Sequence, residues 1–287
     1  MATLHDEVRA ALRESAFKPR KRLGQNFLIH ERVIDSILRL LEVSPQDEIL
    51  EIGSGLGFLT RRLVERAAKV WAVEVDPFLV DWMQRSRLGN HPALELIHGD
   101  ILEIRLDEIL PRNKIKLVGN LPYSISTPVL FRLFESREHF SSLVLMVQKE
   151  VADRIAAGPA TKTYGSLSVW CQVHGRVTDK VLVSAEAFYP RPKVRSTVLK
   201  IEPYPEPLMP AQELFLLRGV LRAAFGQRRK TLSNVLTTWL KKDRSDIEDF
   251  LRSQKIDAQR RGETLSIEEF IRLSRALQPN GLVPVES

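Results

Sequence analysis

The sequence predicts an α/β fold: a doubly wound, Rossmann-like sheet with an antiparallel last strand, followed by a small all-α domain. Three observations carry this. Between about residues 31 and 147, apolar strand-like runs alternate with amphipathic helical patterns, which implies a parallel sheet covered by helices on both faces. Two later runs, Lys180–Ser184 and Thr197–Ile201, are separated only by a Pro-rich loop and look like a hairpin that ends the sheet antiparallel. Beyond Pro203, Pro205, Pro207 and Pro210 the pattern is helical.

Taken in order, residues 1–30 form a basic arm in which Lys18, Arg20, Lys21 and Arg22 are bunched before Gly24. An amphipathic helix is expected from about Glu31 to Glu42. Strands are expected at Glu48–Ile52, Val70–Val75, Leu94–His98, Ile115–Val118 and Leu143–Val147, with helices such as Phe58–Ala67 and Pro77–Arg87 between them. Leu167, Trp170, Cys171 and His174 share one helical face, which makes Cys171 a small core residue rather than a nucleophile. The loop from Gly158 to Gly165 is expected beside the active-site edge, either moving with substrate or simply connecting two elements. In the last segment Leu214, Leu217, Leu221 and Ala224 recur at helical spacing. Ser266 and Glu269 have the spacing of a capping box, with Leu265 and Phe270 as its hydrophobic staple. The expected domains are therefore 1–204 and 205–287.

The chain has 287 residues, enough for one large and one smaller core. Its net charge of +7 favours a polyanionic partner over a neutral one, with a solvated basic surface as the plain alternative. A single cysteine excludes an intrachain disulfide and a cysteine-based metal cluster. Met1 to Arg22 lacks the apolar stretch of a secretory signal. No apolar run is long enough to span a bilayer. The expectation is a cytoplasmic protein with no metal and no membrane partner.

The chemistry concentrates at strand ends. Asn120-Leu121-Pro122-Tyr123 follows the apolar run Ile115–Val118, so it belongs at the carboxyl edge of the sheet, where ligands bind in open α/β folds. An exocyclic base amine is a poor nucleophile because its lone pair is delocalised into the ring. An amide oxygen and a neighbouring backbone carbonyl can accept its two N–H bonds and favour the pyramidal, reactive form. Pro122 fixes the turn, and Tyr123 offers a flat face for a stacked base. A plain strand-to-loop turn would use the same residue types.

Upstream, Glu51-Ile-Gly53-Ser-Gly55-Leu-Gly57 follows the first strand and opens a helix. Phe58 stands where a dinucleotide fingerprint wants its third glycine, which disfavours a nicotinamide or flavin dinucleotide. Glu74 ends the second strand about 20 residues on, at the ribose-binding position. Asp100 ends the third strand, placed to accept from an adenine amine. A glycine loop and two carboxylates on consecutive strand ends suit an adenosyl ligand without a pyrophosphate, S-adenosylmethionine, with Glu51, Gly53 and Gly55 among its contacts.

The chain resembles the ribosomal RNA adenine N6,N6-dimethyltransferase family of the KsgA type. The resemblance rests on Gly24-Gln25-Asn26-Phe27-Leu28, the glycine loop, and Asn120–Tyr123 followed by Ile125-Ser126. It continues through Met146–Ala152, Phe188–Val194, Phe225–Leu232 and Glu263–Ser266. It covers nearly the whole chain. It implies that Asn26, Leu28, Gly53, Glu74, Asp100 and Asn120 line the S-adenosylmethionine site. It implies two adjacent adenosines in the 3′-terminal hairpin loop of small-subunit ribosomal RNA as substrate, on a pre-30S particle, and a monomeric enzyme is expected. The expected mechanism is direct transfer, with Asn120 and Leu121 accepting from the amine, Tyr123 stacking on an extruded base and Phe188 facing its other side. The alternative for Phe188 is a core aromatic at a strand–loop corner.

Three basic clusters are candidates for RNA phosphate: Lys18–Arg22 in the arm, with Lys21 and Arg22 foremost; Arg191–Arg195, with Arg191 and Lys193 foremost; and Arg218, Arg222, Arg228, Arg229 and Lys230 in the helical domain, a solvated basic face being the plain alternative. Two positions depart from the family pattern: Ser54, where proline or alanine is common, and Arg195, where aspartate is usual. Leu121 and the Phe225–Leu232 block favour the small-subunit class over the large-subunit dimethyltransferases of macrolide resistance. A ribosome-assembly factor in which chemistry is secondary is the reading from a different functional class.

Overall fold

The computed structural model describes residues 4–14, 19–20, 23–206, 208–278 and 282. By internal contacts the chain forms two compact units, Met1–Ala152 with Arg176–Pro203, and Asp153–Gly175 with Tyr204–Ser287. The segment Asp153–Gly175, which precedes the expected boundary near 204, thus groups with the C-terminal helices.

The first unit is built on a sheet of seven strands. In chain order they are β2 (Glu48–Ile52), β3 (Lys69–Glu74), β4 (Leu94–His98), β5 (Ile115–Asn120), β6 (Phe140–Gln148), β7 (Gly175–Val183) and β9 (Ser196–Pro203). A separate two-residue pair joins β1 (Phe27–Leu28) to β8 (Phe188–Tyr189). The order across the large sheet is β4-β3-β2-β5-β6-β9-β7. β2 to β6 pair parallel, and β9 lies antiparallel on β6. The expected hairpin is present with its later strand inside, so that β7 takes the edge.

Consecutive residues of β2 are buried, as are most of β5 and β6. A strand buried on successive residues is covered on both faces, which is why these runs are continuously apolar and not alternating. The edge strand β7 is largely exposed and carries Asp179 and Lys180, charges that discourage pairing with another chain.

The helices of this unit are α1 (Leu4–Glu14), α2 (Glu31–Leu41), α3 (Phe58–Val64), α4 (Pro77–Arg85), α5 (Leu106–Ile109) and α6 (Ser126–Glu135), and α7 (Lys149–Ile155) begins in it. The arm therefore contains a helix, whose Leu4, Val8, Ala11 and Leu12 are buried. α2 ends where Glu42 turns left-handed at φ 52°. α4 has a strong start signal: the Asp76 side chain accepts from the Phe78 N–H and Pro77 sits in the first turn.

The second unit holds α8 (Ser166–His174), α9 (Leu214–Gly226), α10 (Leu232–Leu240), α11 (Arg244–Ser253) and α12 (Ile267–Leu277). α8 is buried almost all round, and Cys171 lies inside it; burial pushes its thiol pKa up, away from the thiolate. α12 starts on the capping box: Ser266 Oγ accepts from the Glu269 N–H, and Glu269 accepts from the Ser266 N–H at 2.8 Å. Arg260 grips the same carboxylate through both nitrogens at 2.6 and 2.9 Å. The 158–165 loop is pinned, not loose. Ala160 N–H donates to Glu263 O, and the buried Tyr164 hydroxyl donates to Leu265 O at 3.0 Å.

Candidate active site

The strand order reverses between β2 and β5, and the carboxyl ends of β2, β3, β4 and β5 open there onto a cleft. Asn26, Leu28, Glu51, Gly53, Gly55, Glu74, Asp100 and Asn120, all the residues expected to hold the cofactor, line it. Leu121, Pro122 and Tyr123 line it too.

Sterics and hydrogen bonds explain the loop at its floor. Gly53, Gly55 and Gly57 have φ of 74°, 60° and 80°, a region that costs other residues strain. Gly55 N–H donates to Glu74 Oε2 at 2.8 Å, while Asp76 N–H donates to Glu74 Oε1 at 2.9 Å. One buried carboxylate thus ties the loop after β2 to the turn after β3. Asp100 has a local task as well: its Oδ1 accepts from Leu102 N–H at 2.9 Å.

Glu51 is 2% exposed, and its Oε2 has no hydrogen-bond partner among the described residues. Burial pushes its carboxyl up to about 7, and the Glu74 charge acts in the same direction. Burial also raises the Glu74 pKa, against hydrogen bonds that lower it. Because Glu51 keeps its proton in the folded chain but loses it near 4.5 when unfolded, ligand-free stability should fall as pH rises from about 4.5 to about 7. Glu51→Gln should flatten that part of the melting-temperature profile; parallel profiles for the two proteins would refute the assignment.

The tetrapeptide is held from three sides. Leu121 N–H continues the ladder to Met146 O at 3.0 Å. Asn120 Nδ2 donates to Asn26 O at 3.2 Å, which commits the amide nitrogen and leaves its oxygen to accept. Tyr123 and Ser196 share a hydroxyl hydrogen bond of 2.7 Å, and Ser196 is fully buried. The carbonyl of Leu121 takes no hydrogen bond among the described residues.

Phe188 is not brought to this cleft. It pairs with Leu28 across β1 and β8, is 2% exposed and packs in the core cluster with Ile34, Val183 and Val198. The strand pair turns its ring inward, among those core side chains. Sequence reasoning also missed residues. Val75 is 39% exposed and lines the cleft with Ile101, two apolar side chains on adjacent strand ends that suit a planar base. Gln25 lines the cleft, with Asp76 and Ser196 behind it. Gln25 sits in the Gly24–Leu28 motif, while the Asp76 and Ser196 partnerships join residues far apart in sequence.

The basic clusters divide. Lys21 and Arg22 lie outside the described residues. Arg191 and Lys193 are exposed, with Arg191 3.3 Å from Glu186. Arg228 is occupied: it donates to Glu263 and to the carbonyls of Lys162 and Tyr164, so it clamps the 158–165 loop. Arg222, Arg229 and Lys230 are exposed. No group of three or more potential metal-ligating side chains occurs among the described residues. No described helix is long and apolar enough to cross a membrane.

A family model for ribosomal RNA adenine dimethylase matches residues 16–278. The ribosomal RNA small subunit methyltransferase A of Geobacter metallireducens is 43% identical over 274 residues, covering 94% of this chain and 99% of that protein. Among solved structures, a dimethyladenosine transferase from Plasmodium falciparum superposes with a TM-score of 0.72 at 26% identity, covering 89% of this chain and 98% of that one. The 23S rRNA methyltransferase ErmE superposes with a TM-score of 0.65 at 25% identity, covering 88% of this chain and all of that one.

Proposed function

Because this chain belongs to the ribosomal RNA adenine dimethylase family, we propose that it uses S-adenosylmethionine to dimethylate the N6 amines of two adjacent adenosines in small-subunit ribosomal RNA. The observation that carries the reading is the fixed Asn120 amide: its nitrogen is committed to Asn26, so its oxygen and the Leu121 carbonyl are two acceptors side by side at the cleft. The small-subunit relative supports the choice of RNA.

The cleft fits S-adenosylmethionine by its own chemistry. The buried Glu51 Oε2, without a hydrogen-bond partner among the described residues, is open to a polar group of the ligand. Asp100 has a second oxygen to offer, Glu74 lies where ribose hydroxyls are held, and Val75 and Ile101 present apolar faces. When bound, S-adenosylmethionine supplies an electrophilic methyl group on a positively charged sulfur. The protein orients and desolvates. Asn120 and Leu121 accept the two N–H bonds of the purine amine and direct its lone pair outward. Tyr123, braced by Ser196, stacks on the extruded base. The proton lost after transfer comes from an already acidified nitrogen, so no strong base is needed. A monomethylated amine keeps one N–H, and the same acceptors serve the second round.

The lining residues, the division at about 204 and the monomeric state are part of this proposal. The test is methyl incorporation into assembled small subunits and into naked large-subunit RNA, with mass spectrometry of the product. Two dimethyladenosines on the small-subunit RNA are expected; methylation of the large-subunit RNA alone would overturn the assignment.

RNA contact is expected through Arg222, Arg229 and Lys230. Each alanine substitution should reduce the salt dependence of RNA binding, as log K against log salt, by about 1. Arg228→Ala should instead lower the melting temperature. A salt slope unchanged in all three would remove this face from RNA binding.

A further inference from the structure

We propose that the N-terminal arm is a latch that sets the Asn120 amide, with Gln25 and Arg20 as positioning residues and Asp76 as their anchor. The proposal rests on the assignment of Asn120 to the purine amine.

Asp76 has no exposed surface, and both its oxygens are engaged. Oδ1 accepts from the Phe78 N–H at 3.1 Å and lies 3.3 Å from Arg20 Nη1. Oδ2 accepts from Gln25 Nε2 at 2.8 Å. The other end of the Gln25 amide accepts from the Arg20 N–H at 2.7 Å. Gln25 is therefore read as donor on one side and acceptor on the other. Glutamate would set two carboxylates against each other, and alanine would reach neither.

The grip fixes the turn on either side of Gln25. Gly24 is left-handed at φ 62°, and a Cβ there would lie 3.4 Å from both Pro122 Cβ and Tyr123 N. Its backbone thus lies directly against the tetrapeptide. Asn26 closes the turn by donating from Nδ2 to Gly24 O at 2.9 Å. The Asn26 carbonyl then receives Asn120 Nδ2. An amide can rotate to exchange its oxygen and nitrogen. With the Asn26 carbonyl in place, the nitrogen is drawn away and the oxygen is left for substrate. Without it, the rotated amide would set a donor against the donor amine. Asp76 also donates its N–H to Glu74, so one strand end anchors both the glycine loop and the arm.

The latch acts through a single neutral hydrogen bond at 3.2 Å, so its removal should cost about 3- to 10-fold in rate. The test is a double-mutant cycle on methyl transfer to assembled small subunits, with S-adenosylmethionine affinity measured alongside by calorimetry. Gln25→Ala and Gln25→Glu should each lower kcat by about that factor at saturating cofactor, with the KM for RNA within about twofold. Arg20→Ala should move in the same direction. In an Asn120→Ala background, Gln25→Ala should add less than about a twofold loss, because the group it positions is gone. The latch is refuted if the two losses multiply. It is also refuted if the Gln25→Ala deficit disappears at saturating cofactor, which would make the arm only a wall of the cofactor cleft. Full turnover by Asn120→Ala alone would instead overturn the functional reading beneath it.

Discussion

Asn120→Ala is expected to bind S-adenosylmethionine within about threefold of the parent protein and to lose roughly 100- to 1000-fold in turnover, the range seen when one preorganised polar contact to a reacting group is removed. The size follows from where the amide works. A purine amine in its ground state is planar and loses little if one acceptor is missing. As the nitrogen becomes tetrahedral it gains positive charge, and the acceptor oxygen strengthens with it. An interaction that grows toward the transition state appears in kcat, not in ground-state affinity. Asn120 is well prepared for this. It ends β5 opposite Met146, its nitrogen is held by Asn26, and the next residue stays on the ladder. Asn120→Asp should not substitute freely, because a carboxylate has no hydrogen to give Asn26 and is left beside a carbonyl. Calorimetry with cofactor, and single-turnover methyl transfer, would check both variants. Turnover preserved in Asn120→Ala would remove the residue from the mechanism.

Much of this architecture was legible in the sequence, for identifiable reasons. The central strands are buried on successive residues, so their runs were unbroken and their positions clear. The site residues sit at the ends of those runs, so locating a strand located Gly53, Glu74, Asp100 and Asn120 as well. What was not legible depends on pairing distant in sequence. Phe188 is placed by its pairing with Leu28, 160 residues away in the chain, and local pattern cannot say which way a two-residue strand turns its ring. Arg228 lies in a run of cations with no acid, yet its partners are Glu263 and two carbonyls of the 158–165 loop. Ser196 supports Tyr123 across 73 positions. The strand order also hid the insertion of β9 between β6 and β7, because two apolar runs joined by a loop look alike whichever lies at the edge.

Glu74→Gln is expected to weaken S-adenosylmethionine binding at least about 100-fold, nearly as much as Glu74→Ala, and this near-equality is the informative result. Glutamine is usually the mild replacement for glutamate. Here it is not, because each oxygen of Glu74 accepts from a backbone N–H, one from Gly55 and one from Asp76. An amide offers one acceptor oxygen and turns its NH2 against the other N–H. Whichever way it lies, one buried donor is left facing a donor, at a cost of about 1–3 kcal/mol. If the Gly55 side is lost, the glycine loop is freed from β3. If the Asp76 side is lost, the start of α4 and the anchor of the arm are disturbed. A ligand hydroxyl that donates to Glu74 also loses a charged acceptor, which is worth more than a neutral one. Aspartate should fail for a different reason, being one methylene too short to reach both N–H groups. Calorimetric affinities for the three variants, with circular dichroism to confirm a native fold, provide the check. A Glu74→Gln protein with cofactor affinity near that of the parent would mean that the carboxylate serves only the backbone, and that the ribose is held elsewhere.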